Sequence, residues 1–267
     1  MTLQLDEFKT RQRDIWSAGE YSELSPYIAD VGEAVVGSAA LRPGMRLLDV
    51  ACGTGNVARP AARAGALVTG LDLTPKLIEV GRAKALAEGL DIDWREGDAE
   101  NLPFDGGSFD RVTSTFGHMF APHHQRTADE MARVCRRGGV IVTATWTPEG
   151  TVGDVFKTAA SFMPPPPPDV SPAILWGSED YVRARFANVA SGFAFERRTN
   201  WIEWESLDAF AEFFMARFGP MVTARAMLGD RFIELRERVV EIWRRTNAAA
   251  GRGFRLPQEY LLSTIRL

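Results

Sequence analysis

The run Leu47-Leu48-Asp49-Val50-Ala51-Cys52-Gly53-Thr54-Gly55-Asn56 decides the fold of this chain. An apolar segment leads into a glycine-bearing turn, and the turn opens onto helix-forming residues. That order predicts a buried strand, a tight bend and a helix. Gly53 and Gly55 carry no side chain, so a ligand can lie against bare backbone there. Outward from the turn, strand and helix patterns alternate. Strands are expected at Arg46–Val50, Leu67–Leu71, Ile92–Arg95, Phe109–Ser114 and Val140–Trp146. Helices are expected from near Asn56, from Pro75 to about Glu88 behind a Thr74 cap, and over Gln125–Cys135, ended by Arg136-Arg137-Gly138-Gly139. This alternation predicts an α/β fold, a doubly wound Rossmann-like parallel sheet with helices on both faces.

Asp49 separates two cofactor classes. Gly53-Thr-Gly55-Asn-Val-Ala58 fits the dinucleotide pattern G-x-G-x-x-G/A. A dinucleotide would bring its phosphates to the helix start, and a carboxylate at the end of strand one would repel them. S-adenosylmethionine brings an ammonium and a sulfonium instead, which suits Asp49. Ligands of a doubly wound sheet sit at the carboxyl ends of the strands. Asp72, ending strand two, is placed to accept ribose hydroxyls, with Leu73 packing on an adenine face. Asp98, in the loop after strand three, is placed to accept from the adenine amino group, and the Ala99 N–H to donate to the ring. Ala51 and Asn56 in the turn and Thr115 after strand four complete the expected cofactor contacts.

The 267 residues are 45% apolar, which suffices for a sizeable core, and the formal net charge is −4. No basic stripe points to nucleic acid. No apolar run approaches a membrane span, and Met1–Phe8 does not read as a signal peptide. Cys52 and Cys135 give neither a disulfide framework nor metal spacing, so a reducing cytoplasm is expected. Residues 5–40 read as helical and amphipathic. Residues 147–175, with prolines at 164–168, read as a stiff surface connection. Beyond it, a helix at 178–188, a strand at Phe193–Glu205, helices over 206–249 and a final strand at Tyr260–Leu267 are expected.

Five segments resemble class I S-adenosylmethionine-dependent methyltransferases of the type related to the ubiquinone/menaquinone C-methyltransferases. They are Asp49–Gly55, Gly70-Leu-Asp72-Leu-Thr74-Pro, Gly97–Phe104, Ser108-Phe-Asp110 and Arg133–Gly139. The likeness spans about residues 44–146. The one departure is Ala51, where glycine is usual. Outside this core, Trp176-Gly-Ser-Glu-Asp-Tyr181-Val resembles an actinobacterial branch, a likeness that implies no substrate.

The resemblance implies a seven-stranded sheet with an antiparallel last strand. It also implies three regions: an N-terminal helical lid (1–43), an S-adenosylmethionine-binding core (44–146) and a part completing the sheet with substrate-cap helices (147–267). Trp16 and Tyr21 resemble a lid segment that closes over the cofactor, where aromatic faces attract a sulfonium. The loop after strand four borders the acceptor site in this fold. All three histidines lie there, at 118, 123 and 124. His118 and His123 are therefore candidates for removing the acceptor's proton, and His124 for starting the next helix. No Cys, Asp or Glu completes a metal set around them. The expected function is methyl transfer to a small aromatic or lipophilic metabolite, with oxygen preferred over carbon or nitrogen. An NAD(P)-dependent oxidoreductase and a non-catalytic S-adenosylmethionine-binding protein are the alternatives, and a homodimer is left open.

Overall fold

The computed structural model describes residues 6–267. Residues 1–5 of the expected lid, and with them most of Met1–Phe8, lie outside these. The chain runs α1 (Glu7–Ala18), α2 (Tyr21–Leu24), α3 (Ala29–Ala39), β1 (Arg46–Val50), α4 (Ala58–Arg63), β2 (Leu67–Asp72), α5 (Pro75–Ala87), β3 (Ile92–Glu96) and β4 (Phe109–Thr115). It continues through α6 (His124–Val134), β5 (Cys135–Trp146), α7 (Thr151–Ala160), α8 (Glu179–Phe186), β6 (Gly192–Trp204), α9 (Leu207–Arg217), α10 (Gly219–Leu228), α11 (Arg231–Thr246) and β7 (Phe254–Arg266). The seven strands form one sheet in the order β3-β2-β1-β4-β5-β7-β6. β1 to β5 pair in parallel, and β7 pairs antiparallel with both neighbours. The order reverses between β1 and β4, the switch point where such sheets open a crevice.

β1 shows why the central strands read so plainly. Leu47 to Val50 are buried on both faces, as expected of a parallel strand covered by helices above and below. Its Leu47 face packs on Val68, Ile78 and Trp94; its Leu48 and Val50 face joins the main core with Val112, Ile141 and Leu261. A further apolar cluster lies between α7, α9 to α11 and the outer part of β6 and β7, centred on Phe210, Leu235, Val239 and Trp243.

Three expected elements differ. The 147–175 connection holds α7 and a 3-10 turn at Ala173–Gly177; residues 147–150 and 161–172, the proline run among them, stay outside helix and strand. Val152, Val155, Phe156 and Ala159 recur at helical spacing there and pack inward. β5 begins at Cys135, because a register shift between Phe109 and Arg111 carries the Arg136–Gly139 run as an irregularity within the strand. β7 begins six residues early, with Phe254, Leu256, Gln258 and Tyr260 all facing inward. Pro257 is tolerated because residues before Tyr260 pair only with β6. Among the described residues, no helix is long and apolar enough to cross a membrane.

Candidate functional site

One cavity opens over the carboxyl ends of β1, β2 and β4 and extends under α7, α9 and α11. Its first end is built by the turn after β1. Gly53 sits at φ +53°, and a Cβ there would point into open space 3.8 Å from the Tyr21 ring. The turn thus presents bare backbone to the cavity. Gly55 does something else. A Cβ on it would come within 2.7 Å of Trp94, so this glycine makes room for helix–sheet packing and does not border the cavity.

Three carboxylates face this end. Asp49 is buried and accepts from the Thr113 hydroxyl at 3.1 Å. Burial pushes its pKa up to about 7, against the Thr113 hydroxyl and the Ala58 N–H, with Asp72 adding to the rise. Asp72 accepts from the Gly53 N–H at 2.7 Å and the Thr74 N–H at 2.8 Å. Burial still holds its pKa above the ordinary value. Asp98 accepts from Lys9 Nζ at 2.7 Å and from the Glu100 N–H at 2.9 Å.

The same Lys9 reaches Glu100 at 2.6 Å. Burial disfavours charge on Glu100, but Lys9 and His123 outweigh it and hold its pKa low. These contacts tie α1 to the loop after β3. Lys76 Nζ donates to the carbonyls of Ser17 and Gly19 at the end of α1. Gly19 and Gly219 touch backbone to backbone, a contact any side chain would break. Asn56 and Thr54 of the turn bond Ser25. The segment is therefore closed over the cavity from both sides.

Two non-glycine residues here hold left-handed backbone: Ala51 at φ +52° and Phe116 at φ +59°. Such strain costs on the order of 1–3 kcal/mol and clusters at functional sites. Phe116 stacks on Trp146 at 3.6 Å, and both border the cavity. Thr115 beside them has a buried hydroxyl without a partner among the described residues.

Of the expected cofactor contacts, Asp49, Ala51, Gly53, Asn56, Asp72 and Leu73 border this one cavity, as do Asp98, Thr115, Trp16 and Tyr21. Gly55 and Ala99 do not. The catalytic expectation for His118 is corrected by its position. Its ring is fully buried against Trp176, 4.7 Å between centroids, and does not reach the cavity. Both ring nitrogens lack partners among the described residues, and burial pushes its pKa down to about 3. His123 also stands outside, bonded by Glu100 at 2.9 Å and Asp169 at 3.2 Å, which raise its pKa and favour the imidazolium, a poor base. His124 begins α6 and bonds Tyr181 and the Met119 carbonyl. Among the described residues, no three His, Cys, Asp or Glu side chains are grouped to hold a metal ion.

The second end of the cavity is apolar. Phe156, Ile202, Phe210, Phe214, Phe218 and Trp243 border it. Phe162, Trp176 and Phe213 pack elsewhere. Sequence reasoning missed Lys9, Phe120 and Gln258. Lys9 carries no motif, but Gln258 stands at an inward position of the period-two pattern Phe254, Leu256, Gln258, Tyr260, which was a readable signal.

Residues 47–139 match a family model described as a methyltransferase domain. An uncharacterized protein of Mycobacterium tuberculosis is 44% identical over 223 residues, 83% of this chain and 81% of its own length. A ubiquinone/menaquinone biosynthesis C-methyltransferase of Bordetella parapertussis is 42% identical over 110 residues, covering 40% of this chain and 43% of the relative. The crystal structure of the YcgJ protein from Bacillus subtilis shares the fold, with a TM-score of 0.61 at 20% identity over 88% of this chain and 97% of that one.

Proposed function

Because the chain belongs to the class I S-adenosylmethionine-dependent methyltransferases, we propose that its cavity divides into a cofactor end and an acceptor end, and that the acceptor is a small, lipophilic, aromatic hydroxyl compound. The observation that carries this reading is the asymmetry of one cavity: Asp49, Asp72 and Asp98 at one end, phenyl and indole rings at the other.

The first end suits the cofactor's chemistry. Asp49 meets the ammonium group, whose charge its buried carboxylate lacks. Asp72 uses remaining lone pairs for the ribose hydroxyls while its two N–H partners hold it still. Asp98 and Leu73 frame the adenine, and Lys9 neutralises the charge of Asp98. The unpartnered Thr115 hydroxyl and the bare backbone at Gly53 leave polar atoms for the same ligand. The rings of Trp16 and Tyr21 cover the sulfonium. When bound, S-adenosylmethionine supplies the electrophilic methyl group. Residues 1–43 act as the lid, 44–146 hold the cofactor, and the helices of 147–267 cap the acceptor.

No histidine borders the cavity, so the chain orients the acceptor rather than deprotonating it. That favours an acceptor that loses its proton readily, a phenol or enol oxygen over an aliphatic alcohol. The test incubates the enzyme with methyl-labelled cofactor and a panel of naphthols, aliphatic alcohols, anilines and activated methylene compounds. Label should pass to naphthol oxygen. Label on aliphatic alcohols alone, or on polar acceptors in preference to lipophilic ones, would overturn the reading.

A further inference from the structure

One polar side chain stands in the apolar end of the cavity. Gln258, on β7, borders it among Ile202, Phe210, Phe214 and Trp243. Its neighbours along the inward face of β7 are Leu256 and Tyr260, so a glutamine breaks an otherwise apolar row. A buried amide costs stability unless its hydrogen bonds are made.

One hydrogen bond to the Gln258 amide is made, and it fixes which end stays free. Asn200 is the register partner of Gln258 across β6 and β7. Asn200 Nδ2 donates to the Tyr27 carbonyl at 3.1 Å. A backbone carbonyl only accepts, so it sets which end of the Asn200 amide is nitrogen. The same Nδ2 donates to Gln258 Oε1 at 3.0 Å. That bond sets the Gln258 amide in turn, with its oxygen toward Asn200. Gln258 Nε2 is then the free end. It has no hydrogen-bond partner among the described residues and is not fully buried, and Gln258 is one of the residues that line the cavity.

Resting on the reading of this end as the acceptor site, we propose that Gln258 is a specificity residue. Its Nε2 donates a hydrogen bond to an oxygen of the acceptor, a carbonyl or phenolate oxygen, and Asn200 is the positioning residue that keeps the amide from turning over. A ligand with an oxygen there satisfies the buried donor. A hydrocarbon of the same shape leaves it unpaired, and a site built to hydrogen-bond discriminates against such an analogue. The Tyr27 carbonyl that starts the relay belongs to the segment joining α2 to α3, so the donor is set only when that segment is docked.

The test uses two probes of nearly equal shape, 2-acetylnaphthalene and 2-ethylnaphthalene. Calorimetry measures both on the full-length protein saturated with S-adenosylhomocysteine. The readout is the ratio of the hydrocarbon Kd to the ketone Kd. Gln258→Leu should lower that ratio by about tenfold, the scale of one neutral hydrogen bond. It should leave hydrocarbon binding intact, which also certifies a folded cavity. Asn200→Asp gives a second arm. Its carboxylate attracts the Gln258 Nε2 and turns the amide over, presenting Oε1 to the cavity. The ratio should fall there too, with Gln258 still present, a result that loss of packing would not give. A ratio within twofold of wild type in both variants, with both probes binding, overturns the role of Gln258. Failure of both probes to bind the wild type overturns the acceptor reading itself.

Discussion

If Asp49 meets the cofactor's ammonium, affinity for the cofactor should depend on pH. In the ligand-free protein its pKa lies at about 7, because burial disfavours the charged form more than Thr113 and the Ala58 N–H favour it. An ammonium group beside it reverses that balance and restores the carboxylate, so binding at lower pH must expel a proton. The sign follows. Above pH 7 the carboxylate is already charged and affinity is flat. Below pH 7, affinity falls about tenfold for each unit until the bound form itself protonates. Between pH 8 and pH 5 the Kd for S-adenosylhomocysteine should therefore weaken by about 100-fold. At pH 6, Asp49 in the empty site is about nine-tenths protonated, so close to one proton should be released per ligand bound. Calorimetry in buffers of different ionisation enthalpy measures both quantities. Asp49→Asn keeps the shape and removes the titration. Its affinity should fall well below wild type at pH 8, and the gap should narrow by about 100-fold on going to pH 5. The ligand-free variant should also be the more stable at pH 8, because it no longer buries a charge. A Kd independent of pH in the wild type, or an unchanged slope in Asp49→Asn, would refute the placement of the ammonium at Asp49.

Two other outcomes follow from the buried charges and imidazoles. His118 stays neutral in the fold to about pH 3, whereas an unfolded histidine takes a proton near pH 6.5. Stability is thus lost as pH falls from 6.5, by up to about 1.4 kcal/mol per unit for one such group, and urea unfolding of His118→Leu between pH 4 and 7 should show a shallower acid slope. Lys9→Met should cost about 3 kcal/mol at pH 7 in the same assay, the scale for removing one partner of a buried ion pair. It leaves Glu100, whose side chain has no exposure, beside Asp98. Lys9 depresses the Glu100 pKa, so this loss should be full above the ordinary 4.5 and shrink as pH falls below it.

How much of this was readable from the chain depended on whether a signal was local. β1 matched its expected bounds, because four buried residues and a glycine turn are written consecutively. Asp49 and Asp72 stand at strand ends, and strand ends are what the alternating pattern locates best. Gly55 and His118 were misplaced by the same logic. Each sits in a motif or beside a strand end, yet its direction is set by a residue far along the chain: Trp94 for the glycine, Trp176 for the histidine. Lys9 was invisible because its partners lie 89 and 91 positions away. The period-two pattern around Gln258 was readable, but Pro257 argues against strand in isolation and is accommodated only because this stretch of β7 pairs on one side.

The distribution of strain and charge also bears on catalysis. Buried carboxylates and left-handed Ala51 and Phe116 gather where the cofactor's fixed shape must be met. The end proposed for the acceptor carries neither a histidine nor a carboxylate among the described residues, and its one conspicuous polar group is an amide. A positioned base would add about 10²–10⁴-fold to methyl transfer. Holding acceptor and methyl donor in line is worth more, since effective molarities of well-oriented reactants reach about 10⁵–10⁸ M. A chain whose rigid elements serve alignment therefore secures the greater of these two accelerations. On the proposed reading, rings from α7, α9 and α11 press an aromatic acceptor flat while Gln258 sets its rotation, and an acceptor that ionises unaided then needs nothing further from the protein. The same argument makes the docking of α1, through Lys9 and the Gly19–Gly219 contact, the step that completes alignment: it excludes water from a reaction whose competing nucleophile is water itself.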